Sequence, residues 1–102
     1  MPKKKNLDFQ AAPAFIVPLK MRTPPQGYEC HMSCAVKGNP APRVTWYRNN
    51  ISLNTDTNYH ITNVCGVCSL LILRVKDNGE YKVVIENKLG SAECSMNLSV
   101  RE

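Results

Sequence analysis

From Tyr28 to Lys37 the chain reads YECHMSCAVK, and one apolar set, Cys30, Met32, Cys34 and Val36, recurs at every second position. Glu29, His31, Ser33 and Lys37 fall largely on the intervening side. A period of two sends alternate side chains to opposite faces of an extended strand, so this stretch must bury one face of a sheet. The texture recurs along the chain, in segments rich in Val, Ile, Tyr and Cys that Gly, Pro and Asn interrupt roughly every 8 to 12 residues.

Strands are predicted over Ala14 to Leu19, Tyr28 to Lys37, Arg43 to Arg48, Ile51 to Leu53, Tyr59 to Thr62, Val67 to Val75, Glu80 to Glu86 and Ser91 to Val100. Pro18 donates no main-chain hydrogen bond, which marks the first as an edge strand or as the point where the chain changes sheet. Cys65 and Gly66 suit a hairpin turn, and in the NKLG link Gly90 is the residue able to take a positive φ. No segment sustains a helical period. The reading is all-β: about seven to nine short strands in two packed sheets.

A chain of 102 residues accommodates one such domain, and 43% hydrophobic with 21% charged residues excludes a disordered polymer. The longest apolar run, Leu70 to Leu73, is far short of the ~18 residues a spanning helix needs. The start, MPKKKNLDFQ, is basic but lacks the apolar stretch of a secretory signal. The formal charge of +5 is concentrated there: with Lys3, Lys4 and Lys5 set aside, ten basic and eight acidic groups remain. Residues 1–12 therefore read as a flexible basic leader or linker and 13–102 as a nearly neutral domain. No nucleic-acid or membrane partner is implied.

Four motifs in order carry a resemblance. They are CAVKGNPAPRVTWY from Cys34, LLI from Leu70, DNGEY from Asp77 and ENKLG from Glu86. Together they resemble an immunoglobulin domain of the intermediate set, above all those of intracellular muscle proteins such as titin, myosin-binding protein C, palladin, myotilin and obscurin. A relative among proteins of immunoglobulin and fibronectin type III domains fits the same pattern. The resemblance covers about Ala14 to Arg101 and implies a two-sheet Greek-key sandwich. Trp46, twelve residues after Cys34, is placed to turn its indole beneath the opposite sheet. The resemblance assigns fold-core roles to Cys34, Trp46, Leu70, Ile72, Tyr81 and Val83. It also gives Tyr81 a corner-closing hydrogen bond to upstream main chain.

Two departures stand out against that pattern. Extracellular relatives bridge the position of Cys34 to the residue two after the corner tyrosine, and here that residue is Val83. No cross-sheet disulfide is expected, and an odd count of five cysteines suits a reducing compartment. Only Lys76 separates Val75 from Asp77, where the pattern has three residues. The connection is two residues short, so a small helical turn is expected to vanish or the strand to bend early, with the tyrosine corner rearranged.

Other chemistry finds little footing. Cys65-Gly-Val-Cys68, with Cys30 and Cys34, nominally supplies four thiolates, but alternation aims Cys30 and Cys34 into a core rather than at a shared tetrahedral centre. Neither a metal nor a cofactor is expected. A minority pairing of Cys34 with another thiol, for example Cys94, stays open. His31 and His60 lie on separate strands with no nucleophile or carboxylate at a meaningful spacing, so no enzyme is expected.

The resemblance thus implies a non-catalytic structural and protein-interaction module, a monomeric unit in a tandem array. Its parent would be a cytoplasmic protein of the sarcomere, at Z-disc or M-band, or of the actin cytoskeleton. Partners would be sarcomeric or cytoskeletal proteins, actin and neighbouring immunoglobulin or fibronectin domains among them. Three contact surfaces are candidates: the edge strand at Ala14 to Leu19, the polar face carrying Arg43, Arg48, Lys82 and Lys88, and the loop tips. The rival class is an extracellular adhesion or receptor domain, for which the sequons at Asn50 and Asn97 would matter.

Overall fold

Alternation decides the architecture. In the computed structural model, which describes residues 10–20, 22–53 and 58–101, the apolar positions of each long strand turn to one shared interior. The strands are β1 (Ala11–Val17), β2 (Cys30–Asn39), β3 (Arg43–Arg48), β4 (Ile51–Ser52), β5 (Tyr59–Val64), β6 (Val67–Ile72), β7 (Gly79–Asn87) and β8 (Gly90–Leu98). They form two four-stranded sheets, in the orders β1-β2-β6-β5 and β4-β3-β7-β8, with antiparallel neighbours throughout. This is the strand order of the immunoglobulin sandwich. Ala11 and Ala12, expected in the leader, belong to β1; residues 1–9 of that leader lie outside the described residues.

Both readings of Pro18 hold. β1 is an edge strand of the first sheet, paired with β2 alone, and it ends at Val17. Beyond the proline the chain crosses to the second sheet, where Arg22 bridges Leu98 and Pro25 bridges Arg101 in parallel. Buried Leu19 fastens the crossing by donating its N–H to Cys94 Sγ at 3.3 Å.

The core is where the two sheets face each other. From β2 come Cys30, Met32, Cys34 and Val36, from β6 Cys68, Leu70 and Ile72, from β7 Tyr81, Val83 and Ile85, and between them lies Trp46 with no solvent exposure. Its indole N–H has no hydrogen-bond partner among the described residues. An orphaned donor of that kind costs about 1–3 kcal/mol, which burial of the largest side chain in the core offsets.

The turns obey their chemistry, with one correction. Cys65 (φ 50°) and Gly66 (φ 81°) both take positive φ, the requirement of a two-residue type I′ hairpin between β5 and β6. Asn49 and Asn50 do the same between β3 and β4. Gly90 does not: it is the first residue of β8, paired with Asn87, and has no positive φ. Asn87 Oδ1 accepts the N–H of Leu89 at 2.8 Å, so an asparagine side chain closes the turn without a left-handed glycine.

β6 ends at Ile72, three residues before the predicted Val75, and the short connection carries no helical turn. Its main chain is satisfied otherwise. Asn58 accepts from Leu73 N through its carbonyl at 2.9 Å and from Arg74 N through Oδ1 at 3.1 Å, and donates Nδ2 to Arg74 O at 3.0 Å. Buried Val75 exchanges bonds with Tyr28 O and Gly27 N.

Candidate interaction surfaces

Cys34, Trp46, Leu70, Ile72, Tyr81 and Val83 are all buried in the shared core. Cys34 is 2% exposed and Val83 not at all. The two come from different sheets of the sandwich, and both belong to its shared core. All five cysteines are free.

The nearest thiol neighbour of Cys34 is not Cys94 but Cys68, its Cα partner across β2 and β6. Cys34 is held well above the ordinary thiol range, first by its hydrogen bond to Cys68, then by burial and the neighbouring sulfurs. Cys68 moves the other way because it accepts that bond, against the effect of burial. Burial also pushes Cys30 up, with Arg22 opposing. The CxxC reading dissolves: Cys65 sits exposed at the hairpin tip while Cys68 points into the core. Among the described residues no group of three or more His, Cys, Asp or Glu is arranged to hold a metal. His31 and His60 are exposed and stand on either side of Leu71, to which both are paired.

The four surface cations do not form one patch. Arg43 and Lys82 project from the outer face of the second sheet, among Glu80, Glu86 and Glu93. Lys82 is engaged there, 4.0 Å from Glu93, 3.3 Å from Asn50 Oδ1 and 5.8 Å from the centre of the Tyr47 ring. Lys88 lies at the β7–β8 turn. Arg48 leaves that face: it shares the inward parity of Trp46 and ends at the opposite end of the sheet, paired with Tyr81. The edge strand is more distinctive, since Ile16 is 60% exposed and Val17 also faces solvent.

At that far end the tyrosine corner is rebuilt. Among the described residues, the Tyr81 hydroxyl bonds the Tyr59 hydroxyl at 3.2 Å and accepts from the Arg48 guanidinium, not from upstream main chain. The rings meet edge to face, centroids 6.2 Å apart. The connection between β6 and β7, two residues short of the pattern it resembles, carries no helical turn. Burial, then the bond to Tyr59, pushes the phenol of Tyr81 up, while the Arg48 guanidinium beside it works in the opposite direction.

With sandwich, buried tryptophan and corner in place, the family is decided by a match of residues 13–100 to the Immunoglobulin I-set domain. The chain belongs to the immunoglobulin I-set family. Fast-type myosin-binding protein C of Mus musculus is 38% identical over 99 residues, covering 95% of this chain and 9% of the relative. The I-set domain thus spans less than a tenth of the length of that protein. Among solved structures, the M4 domain of titin superposes with a TM-score of 0.87 at 29% identity, covering 91% of this chain and 99% of its own. Titin Z1Z2, solved in complex with telethonin, superposes at 0.82 with 26% identity, covering 90% of this chain and 49% of its own.

Proposed function

We propose that this I-set domain is a non-catalytic structural and protein-interaction module, one immunoglobulin unit of a longer sarcomeric or actin-cytoskeletal protein in the cytoplasm. The observation that carries the reading is the core itself. Val83 fills the bridging position opposite Cys34, and five free thiols accompany it, so the sandwich draws no stability from an oxidising compartment. Similarity to myosin-binding protein C and titin domains supports the same class.

The placement of the ends suits a tandem array. Ala11 lies beside Asn87, which donates to its carbonyl at 2.9 Å, while Arg101 pairs with Pro25 at the opposite end. Force entering at one end leaves at the other. Partners are taken to be sarcomeric or cytoskeletal proteins, with actin and adjoining immunoglobulin or fibronectin domains among them. The exposed β1 edge and the outer cations Arg43, Lys82 and Lys88 are the surfaces offered for contact. An antibody raised against this domain and applied to sectioned muscle is expected to stain striations. Cell-surface staining that shifts on removal of N-linked glycans would overturn the reading in favour of the adhesion class.

A further inference from the structure

We propose that the cleft beneath the shortened β6–β7 connection, built from Arg48, Arg74, Lys76 and the hydroxyls of Tyr59 and Tyr81, binds a phosphate dianion. The cleft has a volume of ≈ 160 Å³. A water's share of liquid volume is about 30 Å³, so there is room for a four-oxygen anion together with part of what it is attached to. Asp77 also lines it, which leaves three cations against one carboxylate among the described lining residues. None of the three cations has an ion-pair partner among the described residues, where the ion pair formed is Lys82–Glu93. Like charges gathered round a concave wall repel one another until an anion enters, and the partly enclosed setting strengthens that attraction.

The donors are aimed by the fold. Arg48 donates Nη2 to Asn78 O at 3.2 Å, and its guanidinium lies across Gly79, where an added Cβ would come within 3.0 Å of Nε. A second N–H of the guanidinium is given to the Tyr81 hydroxyl, and the rest of its five donors remain for phosphate oxygens, in the planar fork that suits them. Arg74 and Lys76 flank Val75, which is drawn into the core, so both are exposed at the cleft edge. The two tyrosine hydroxyls own two protons and spend one on the bond between them. Whichever donates, the other retains a proton for a ligand. Burial favours the neutral, proton-bearing form of Tyr81, as a donor requires.

A phosphorylated side chain of another segment and free phosphate share this chemistry. The domain would be titrated with inorganic phosphate, with a short phosphoserine peptide and with the same peptide unphosphorylated, while amide shifts are followed by NMR. Saturable shifts converging on Arg48, Tyr59, Arg74, Lys76 and Tyr81 with either phosphate probe support the site. Tighter binding of the phosphopeptide than of phosphate identifies a phosphorylated side chain as the source, and equal binding identifies the free anion. The exposed pair Arg74→Glu/Lys76→Glu is expected to weaken binding at least tenfold. The control Lys20→Glu/Lys37→Glu makes the same charge change away from the cleft, at exposed positions, and is expected to leave it within about twofold. Absence of saturable shifts, equal response to the unphosphorylated peptide, or equal loss in the control overturns the proposal.

Discussion

Cys34 and Cys68 face each other across β2 and β6 as direct Cα partners, both buried, while Val83 is buried in the other sheet of the sandwich. The thiols therefore differ by depth and not by pairing. In a native, unreduced sample Cys65 at the hairpin tip is expected to react at once with a thiol reagent, Cys94 more slowly, and Cys30, Cys34 and Cys68 only as the domain unfolds. Denaturation without reductant should expose all five. A total below five would mean that a disulfide forms after all.

If Val83 is what keeps the sandwich unbridged, Val83→Cys should restore the cross-sheet link to Cys34. The loop closed between them spans nearly half the chain, and the loop-entropy relation assigns such a closure about 4 kcal/mol, with native strain subtracting from it. Thermal unfolding of the oxidised variant is expected to occur well above that of its reduced form. Wild type, by contrast, should unfold at one temperature with or without reductant. An equal effect of reductant on both would sink the idea.

The glycines of the two hairpins separate conformation from space. At Gly66 an added Cβ would come within 2.9 Å of Val36 O, a main-chain atom, and φ is positive. Gly66→Ala should cost about 1–3 kcal/mol. At Gly90 the same Cβ would meet the methyl of Ala12 at 3.6 Å, an ordinary contact, in a residue without positive φ. Gly90→Ala is expected to be neutral or to stabilise by up to about 1 kcal/mol. Urea titrations of the two variants give the comparison directly.

That contrast marks what could be read from the chain. Arg43–Arg48 emerged with the predicted bounds, and the buried set of β2 is the set that alternation picks out, because a strand's facing is written in its own few residues. Gly90 misled because a glycine near a turn permits positive φ without requiring it, and Asn87 closed the turn first. The Cys34–Cys68 pairing was invisible for a different reason. It depends on the register of two strands more than thirty residues apart, which the alternation of each fixes only to an even number. Arg48 was assigned to the outer face with Arg43, yet strand parity turns it inward beside Tyr81. The shortened connection was legible as a count of residues. Its consequence, a hydroxyl pair and a basic cleft, needed the position of Tyr59.

Alkaline pH tests the buried protons. In the unfolded chain thiols ionise near about 8.5 and phenols near about 10. In the folded domain Cys30, Cys34 and Tyr81 are all raised, and Cys68 alone moves down. Above about pH 8.5 the folded state therefore holds more protons than the unfolded one, and stability must fall as pH rises. The urea midpoint is expected to stay level through neutrality, decline from about pH 9, and decline more steeply above about pH 10, where unfolded tyrosine ionises. Tyr81→Phe removes one of the groups responsible, so its profile should be flatter above pH 10 whatever its stability at neutrality. A wild-type midpoint that climbs across that window would show that these groups are not protected as the fold implies.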